Sequence, residues 1–303
     1  MDYRRLSGTD LDVSTVCFGP MRSASQEQDR QWDERSQQGK RALLASIDAG
    51  INFIHSSYEY DVRWMMHDAL KDHPKRHELH HAIKIPVPDW DDEDTFSEHK
   101  VRRRIEEALR DLCTDRIALV QWMWRTRPHT DDKRVSVLNQ MVNGVGDTFD
   151  KLKQEGKVGH VATFPYTVES GAAALRSRRF ESLIAYYNPL EMEMAPLFPE
   201  LEKQDNSFLA IRPLFAGVLT DKRPSWEALP DDDRLKDEKY RETFRKRAAV
   251  AEEFSDIIDK EGSMTRFALR FPLYSATTAS VIAGLNTPEQ VESVIDQMEN
   301  VTE

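Results

Sequence analysis

Two cysteines in 303 residues, Cys17 and Cys113, cannot form a disulfide framework, and they lie too far apart for metal-ligand spacing. Both are expected as buried thiols. No apolar run approaches the roughly 20 residues that span a bilayer. The opening MDYRRLSGTDLDV also lacks the apolar segment of a secretion signal, so a cytoplasmic protein is expected. Positive charge is scarce: 42 Lys and Arg face 53 Asp and Glu, and the net charge of −11 argues against a nucleic-acid or membrane partner. A glycine-rich phosphate turn of the G-x-G-x-x-G kind is missing, which argues against an open dinucleotide-binding sheet. The nine histidines include HELHH at 77–81, which has no HExxH spacing and reads as surface and strand-end residues, so no metal is expected.

Hydrophobic residues at 39% and charged residues at 31% describe a globular chain with a core and a solvated shell. Eight β-rich runs recur along it: VSTVCFG at 13–19, INFIH at 51–55, HAIKI at 81–85, IALVQWM at 117–123, VGHVAT at 158–163, LIAYY at 183–187, FLAIR at 208–212 and SVIAG at 280–284. Segments of helical period separate them. KRALLASIDAG sets Ala42, Leu43, Ile47 and Ala49 on one face and stops at Gly50, VRRRIEEALRDLC does the same with Val101, Ile105, Leu109 and Leu112, and a further helix ends at Gly156. Eight βα units predict a closed (β/α)8 barrel as one domain over 1–303, with its working face at the loops that follow the strands. Two long polar stretches fall on that face. Residues 20–39 read as a mobile surface loop, and residues 221–240 as a lid leading into the seventh helix.

The motifs carry a resemblance that runs nearly end to end. YRRLSGTDLDVSTVCFGPM, AGINFIHSSYEY, IEEALRDLCTDRIALVQ, LKQEGKVGHV, YYNPLE, RPLFAGVLTDK and VIAGLNTPEQVE together resemble the aldo-keto reductases, in order and at the expected spacings. That resemblance implies a barrel with an N-terminal β-hairpin, an NADP(H) cofactor and reduction of small carbonyl compounds. It also implies a catalytic tyrosine, lysine, aspartate and histidine. Tyr60 matches the tyrosine and Lys84 the lysine, whereas His55 stands at the aspartate position and Met123 at the histidine position. Methionine can neither donate a hydrogen bond nor carry a proton.

For the cofactor, the resemblance points to Gly19, Arg212, Leu214, Gly217, Gly284 and Gln290. Its amide anchors after the fifth strand are replaced by Phe164 and Pro165, its glutamine on the sixth strand by Ile184, and its stacking aromatic by Ile211. Trp90, Trp122, Met123, Trp124 and Arg125 are expected to line a substrate pocket suited to an anionic or aromatic small molecule. Two functions follow. One is an oxidoreductase with an altered centre. The other is a barrel without redox chemistry, which binds a ligand or partner or performs cofactor-free acid/base chemistry with His55, Lys84 and Tyr60.

Overall fold

The computed structural model describes residues 1–24, 32–88 and 96–299. The chain opens with an antiparallel pair, β1 (Tyr3–Arg5) and β2 (Asp12–Ser14), which lies across one end of the barrel. Arg4 donates to the carbonyls of Leu273 and Thr278, each at 2.9 Å, and Tyr3 Oη donates to Gly50 O at 2.8 Å. Leu6, Leu11 and Val13 are buried among Cys17, Phe53, Ala82, Ala118 and Ala279, near the starts of the barrel strands. The hairpin therefore closes the floor of the barrel.

Among the described residues, eight parallel strands close the barrel: β3 (Val16–Gly19), β4 (Phe53–Ser57), β5 (His80–Pro86), β6 (Ile117–Met123), β7 (Val158–Thr163), β8 (Ser182–Tyr186), β9 (Ser207–Ile211) and β10 (Thr278–Gly284). Closure comes where β10 pairs with both β9 and β3. All eight fall on the runs read from the sequence, with one correction. Residues 13–19 are not a single strand: the hairpin arm ends at Ser14 and β3 begins at Val16.

The outer layer is built from α1 (Glu34–Asp48), α2 (Arg63–Leu70), α3 (Glu98–Asp111), α4 (Asp131–Gln154), α5 (Val168–Ser177), α6 (Phe198–Lys203), α7 (Arg241–Glu253), α8 (Ser255–Glu261), α9 (Met264–Arg270) and α10 (Pro288–Gln297). Helix α1 starts where the Asp33 carboxylate accepts the Ser36 N–H, and its chain turns away at Gly50, whose φ of +89° is left-handed. It buries Ala42, Leu43 and Ile47, leaving Ala49 half-buried at the cap. In α3 the buried face is Val101, Ile105 and Ala108, followed by Leu112, while Leu109 packs at its margin.

Four other expectations need correction. Residues 34–39 belong to α1 and not to a loop, and residues 25–31 lie outside the described residues. The 221–240 excursion is pinned rather than loose: Leu229 and Leu235 form a small core with Val218 and Phe244, and Arg223 pairs with Asp233 at 2.8 Å. Cys17 is buried as expected, but Cys113 is only partly so, with its Sγ 3.3 Å from His67 Nδ1. His81 is not at the surface. It is fully buried on the outward side of β5, and among the described residues neither ring nitrogen has a hydrogen-bond partner. Among the described residues, no helix is long and apolar enough to cross a membrane.

Candidate active site

Strands β4 and β5 run in register, with His55 opposite Ala82 and Ser57 opposite Lys84, so their C-terminal ends meet at one place on the barrel mouth. Immediately after β4 the chain makes a 3₁₀ turn, Tyr58–Tyr60, which begins where Ser57 Oγ accepts the Glu59 N–H at 3.3 Å. The turn carries Tyr60 back over β5. Lys84 Nζ lies 4.6 Å from the centre of the Tyr60 ring, so the two side chains predicted from separate motifs are brought together.

The same turn delivers a carboxylate. Glu59 Oε2 is 2.9 Å from Lys84 Nζ, and its other oxygen pairs with the Arg125 guanidinium. The three side chains are 24%, 13% and 9% exposed respectively, so this is not a solvated surface pair. Burial pushes the Glu59 carboxyl upward, but Lys84 and Arg125 outweigh it and hold the group below the ordinary carboxylate range. Lys84 therefore has an anionic partner, supplied by the turn after β4 and not by the strand end that carries His55. Sequence reasoning missed Glu59 because its only signal was its place next to Tyr60, and a 3₁₀ turn had to aim it.

His55 lies inside the barrel, 4% exposed, with Nε2 2.7 Å from Gln121 Oε1 and its ring centre 6.2 Å from that of Tyr60. Burial lowers its pKa to about 4, opposed by the Gln121 hydrogen bond and assisted by the nearby charges of Lys84 and Arg63. It is a neutral imidazole at neutral pH. His81 is lowered to about 4 by the same cause, burial, with help from His80 and Arg63.

These two histidines predict acid sensitivity of the fold. Between about pH 6.5 and pH 4 the unfolded chain takes up a proton at each site that the folded chain refuses, so stability is full above the unfolded pKa and falls as pH drops through this window, on the order of 3 kcal/mol per histidine. Urea unfolding at pH 7.5, 6.5, 5.5 and 4.5 checks this. His81→Leu should flatten the acid decline, and a variant that declines as steeply as wild type removes His81 as a cause.

The remaining predicted pocket residues divide. Arg125 is at the mouth, as described, and Met123 follows Gln121 on the inward face of β6, 6% exposed. Trp122 and Trp124 are not brought to the mouth: they are 1% and 0% exposed within the outer core, with Trp122 against Phe180 and Phe149. Their indole N–H groups donate to Val87 O at 2.7 Å and Arg134 O at 3.0 Å. Trp90 lies outside the described residues.

Two regions bear on a nicotinamide cofactor. At the ends of β7 and β8, Phe164 packs edge-on against Tyr166 and Tyr186, and Ile184 is fully buried in the barrel interior, so neither offers a polar partner for a carboxamide. The Arg212 guanidinium lies over the rings of Tyr186 at 4.8 Å and Phe215 at 4.3 Å, and reaches Glu191 at 3.4 Å.

The other region is the turn at Leu214–Gly217, where Gly217 takes φ +97° and a Cβ there would meet Arg223 Nη1 at 2.9 Å. Arg234 donates to Ala216 O beside it, and burial, then the charges of Arg22 and Arg223, hold its guanidinium below the ordinary value. Arg22, Arg223 and Arg234 thus stand near one left-handed turn, Arg223 paired with Asp233, and cations at such a turn are groups that could meet a phosphate. Gly19 is pressed against Ala283 O, whereas Gly284 faces open space and Gln290 bonds back to the Asn286 N–H at 2.8 Å ahead of α10. Among the described residues, no group of His, Cys, Asp or Glu could hold a metal ion.

A parallel eight-stranded barrel with a tyrosine in the turn after its second strand and a lysine on its third has the architecture of an aldo-keto-reductase-type protein. Residues 15–302 match the Aldo/keto reductase family, and the chain belongs to it. Members of that family generally use NAD(P)H. The chain is 25% identical to L-galactose dehydrogenase of Arabidopsis thaliana over 96% of its own length and 86% of that protein. It is also 25% identical to the uncharacterized oxidoreductase YrpG of Bacillus subtilis, over 99% of this chain and 91% of the other. Two solved structures share the fold. Glycerol dehydrogenase AKR11B4 of Gluconobacter oxydans has a TM-score of 0.74 at 24% identity, covering 98% of this chain and 90% of that one. The holo form of aldo-keto reductase AKR11C1 of Bacillus halodurans has a TM-score of 0.73 at 21% identity, covering 99% and 91%.

Proposed function

We propose that the protein is an NAD(P)H-dependent oxidoreductase for a small carbonyl compound, with Tyr60 donating a proton to the carbonyl oxygen. The observation that carries this reading is the meeting of Tyr60 and Lys84 at the barrel mouth, 4.6 Å from ammonium nitrogen to ring centre. The ammonium over the ring face holds the phenol in place beside β5 through a cation–π contact. Met123 cannot orient the carbonyl, so that task falls to Tyr60 and to the cations around it. The rim rings Phe164, Tyr166 and Tyr186, with Arg212 among them, suit an aromatic or anionic substrate. The bound cofactor supplies the hydride. Its phosphates would be held by the Gly217 turn with Arg22, Arg223 and Arg234, while its carboxamide would find only Phe164, Pro165 and Ile184.

That imbalance predicts weak binding. Each missing hydrogen bond removes about 0.5–1.5 kcal/mol, and about 1.4 kcal/mol is a tenfold change, so a dissociation constant for NADPH in the high micromolar range is expected. Titration of NADPH and NADH, followed by tryptophan fluorescence or heat, measures it. Submicromolar affinity would contradict the loss of the amide anchors. The second reading, a barrel without redox chemistry that binds an anionic or aromatic ligand, is favoured by the apolar β7–β8 end alone. It gains if neither cofactor binds up to millimolar concentration while anionic ligands raise the melting temperature.

A further inference from the structure

We infer that Glu59 is the positioning carboxylate of this site, having taken over from the strand-end position now filled by His55. The inference rests on the oxidoreductase reading and deepens it. Glu59 Oε2 lies 2.9 Å from Lys84 Nζ, and its second oxygen is engaged by Arg125. No anion comes from β4 itself, because His55 is buried as a neutral imidazole bonded to Gln121.

A carboxylate on a loop is less constrained than one on a strand, and this loop is constrained twice. Ser57 Oγ holds the Glu59 backbone at the start of the turn, and Arg125, anchored through its own N–H to Pro88 O at 3.2 Å, holds the far side of the carboxylate. Glu59 and Tyr60 are consecutive residues of one 3₁₀ turn, so the groups on either side of the Lys84 ammonium are set by the same few backbone angles. Removing the anion takes away the one charge that Lys84 Nζ and the Arg125 guanidinium share, and leaves two mostly buried cations close together. Lys84 is then pushed from its place against Tyr60. Glu59 touches neither substrate nor cofactor in this account. It acts through Lys84.

The test is steady-state carbonyl reduction with NADPH by wild type, Glu59→Gln, Glu59→Asp and the double variant Glu59→Gln/His55→Asp, each as a function of pH. For Glu59→Gln, kcat is expected to fall about ten- to hundredfold, the size of one lost charged hydrogen bond, while KM for the aldehyde changes less than about threefold. The alkaline limb of its pH–kcat profile should move to lower pH, because loss of a nearby anion eases deprotonation of its neighbours. Glu59→Asp should keep part of the activity. The double variant, which returns a carboxylate to the strand end, should recover both kcat and the limb, showing that the single loss was of charge and not of fold. Wild type that turns over while Glu59→Gln retains its kcat and its pH profile overturns the inference alone. Wild type that reduces no carbonyl compound overturns the functional reading and the inference together.

Discussion

A Tyr60→Phe protein is expected to keep its fold and its ligands while carbonyl reduction falls about 10²- to 10⁴-fold, the usual contribution of a positioned proton donor. Phenylalanine retains the ring on which Lys84 rests, and a cation–ring contact does not need the hydroxyl, so the Lys84–Glu59–Arg125 chain should stay in place. The substitution removes one oxygen and its proton. Single-turnover rates with NADPH and an aromatic aldehyde, beside thermal melts and cofactor titration, separate chemistry from binding. A Tyr60→Phe protein within about threefold of wild type would mean that some other group delivers the proton, far outside the range for general acid catalysis.

The second large effect concerns a residue that the sequence appoints to the pocket. Trp122→Ala is expected to cost about 3–5 kcal/mol of folding stability, as for other large aromatic truncations in cores. Trp122 is 1% exposed, stacks near Phe180 at 5.7 Å and Trp124 at 5.4 Å, and donates its indole N–H to Val87 O. Alanine leaves a cavity between β6 and α4 and an unmatched carbonyl. Urea unfolding reads the loss, and KM measured well below the transition should change little. A loss under about 1 kcal/mol accompanied by a large rise in KM would return Trp122 to the pocket.

The contrast between Trp122 and the strand pattern explains what was legible. Each barrel strand announced itself as a short β-rich run between helical stretches, because both faces of a parallel barrel strand are buried. That double burial also hides direction. In IALVQWM every residue is buried, so no alternation of polarity reveals that Trp122 points to the helices while Gln121 and Met123 point inward. His81 was misread for the same reason. The break at Thr15 was invisible because residues 13–19 share one β-rich composition, and the break is imposed by pairing: Arg5 with Asp12 across the hairpin, and Asn52 Oδ1, distant in sequence, accepting the Ser14 N–H at 2.8 Å. Of the site, Tyr60 and Lys84 could be read because their motifs resemble a family's, whereas Glu59 lies at a position where that pattern carries no instruction.

The floor laid by β1 and β2 makes the barrel a vessel with one opening. With Leu6, Leu11 and Val13 filling the far end, a substrate of the proposed kind would approach Lys84 from the end that carries Arg125, Tyr186 and Arg212. Selectivity in such a vessel is expressed in traffic as well as in fit. Rim charges set how often an ion enters, and long-range attraction of this kind fades as ionic strength rises. The chain as a whole carries an excess of acid, and at the mouth Arg125 and Arg212 stand beside Glu59 and Glu191, so an anionic visitor would meet paired charges of both signs there.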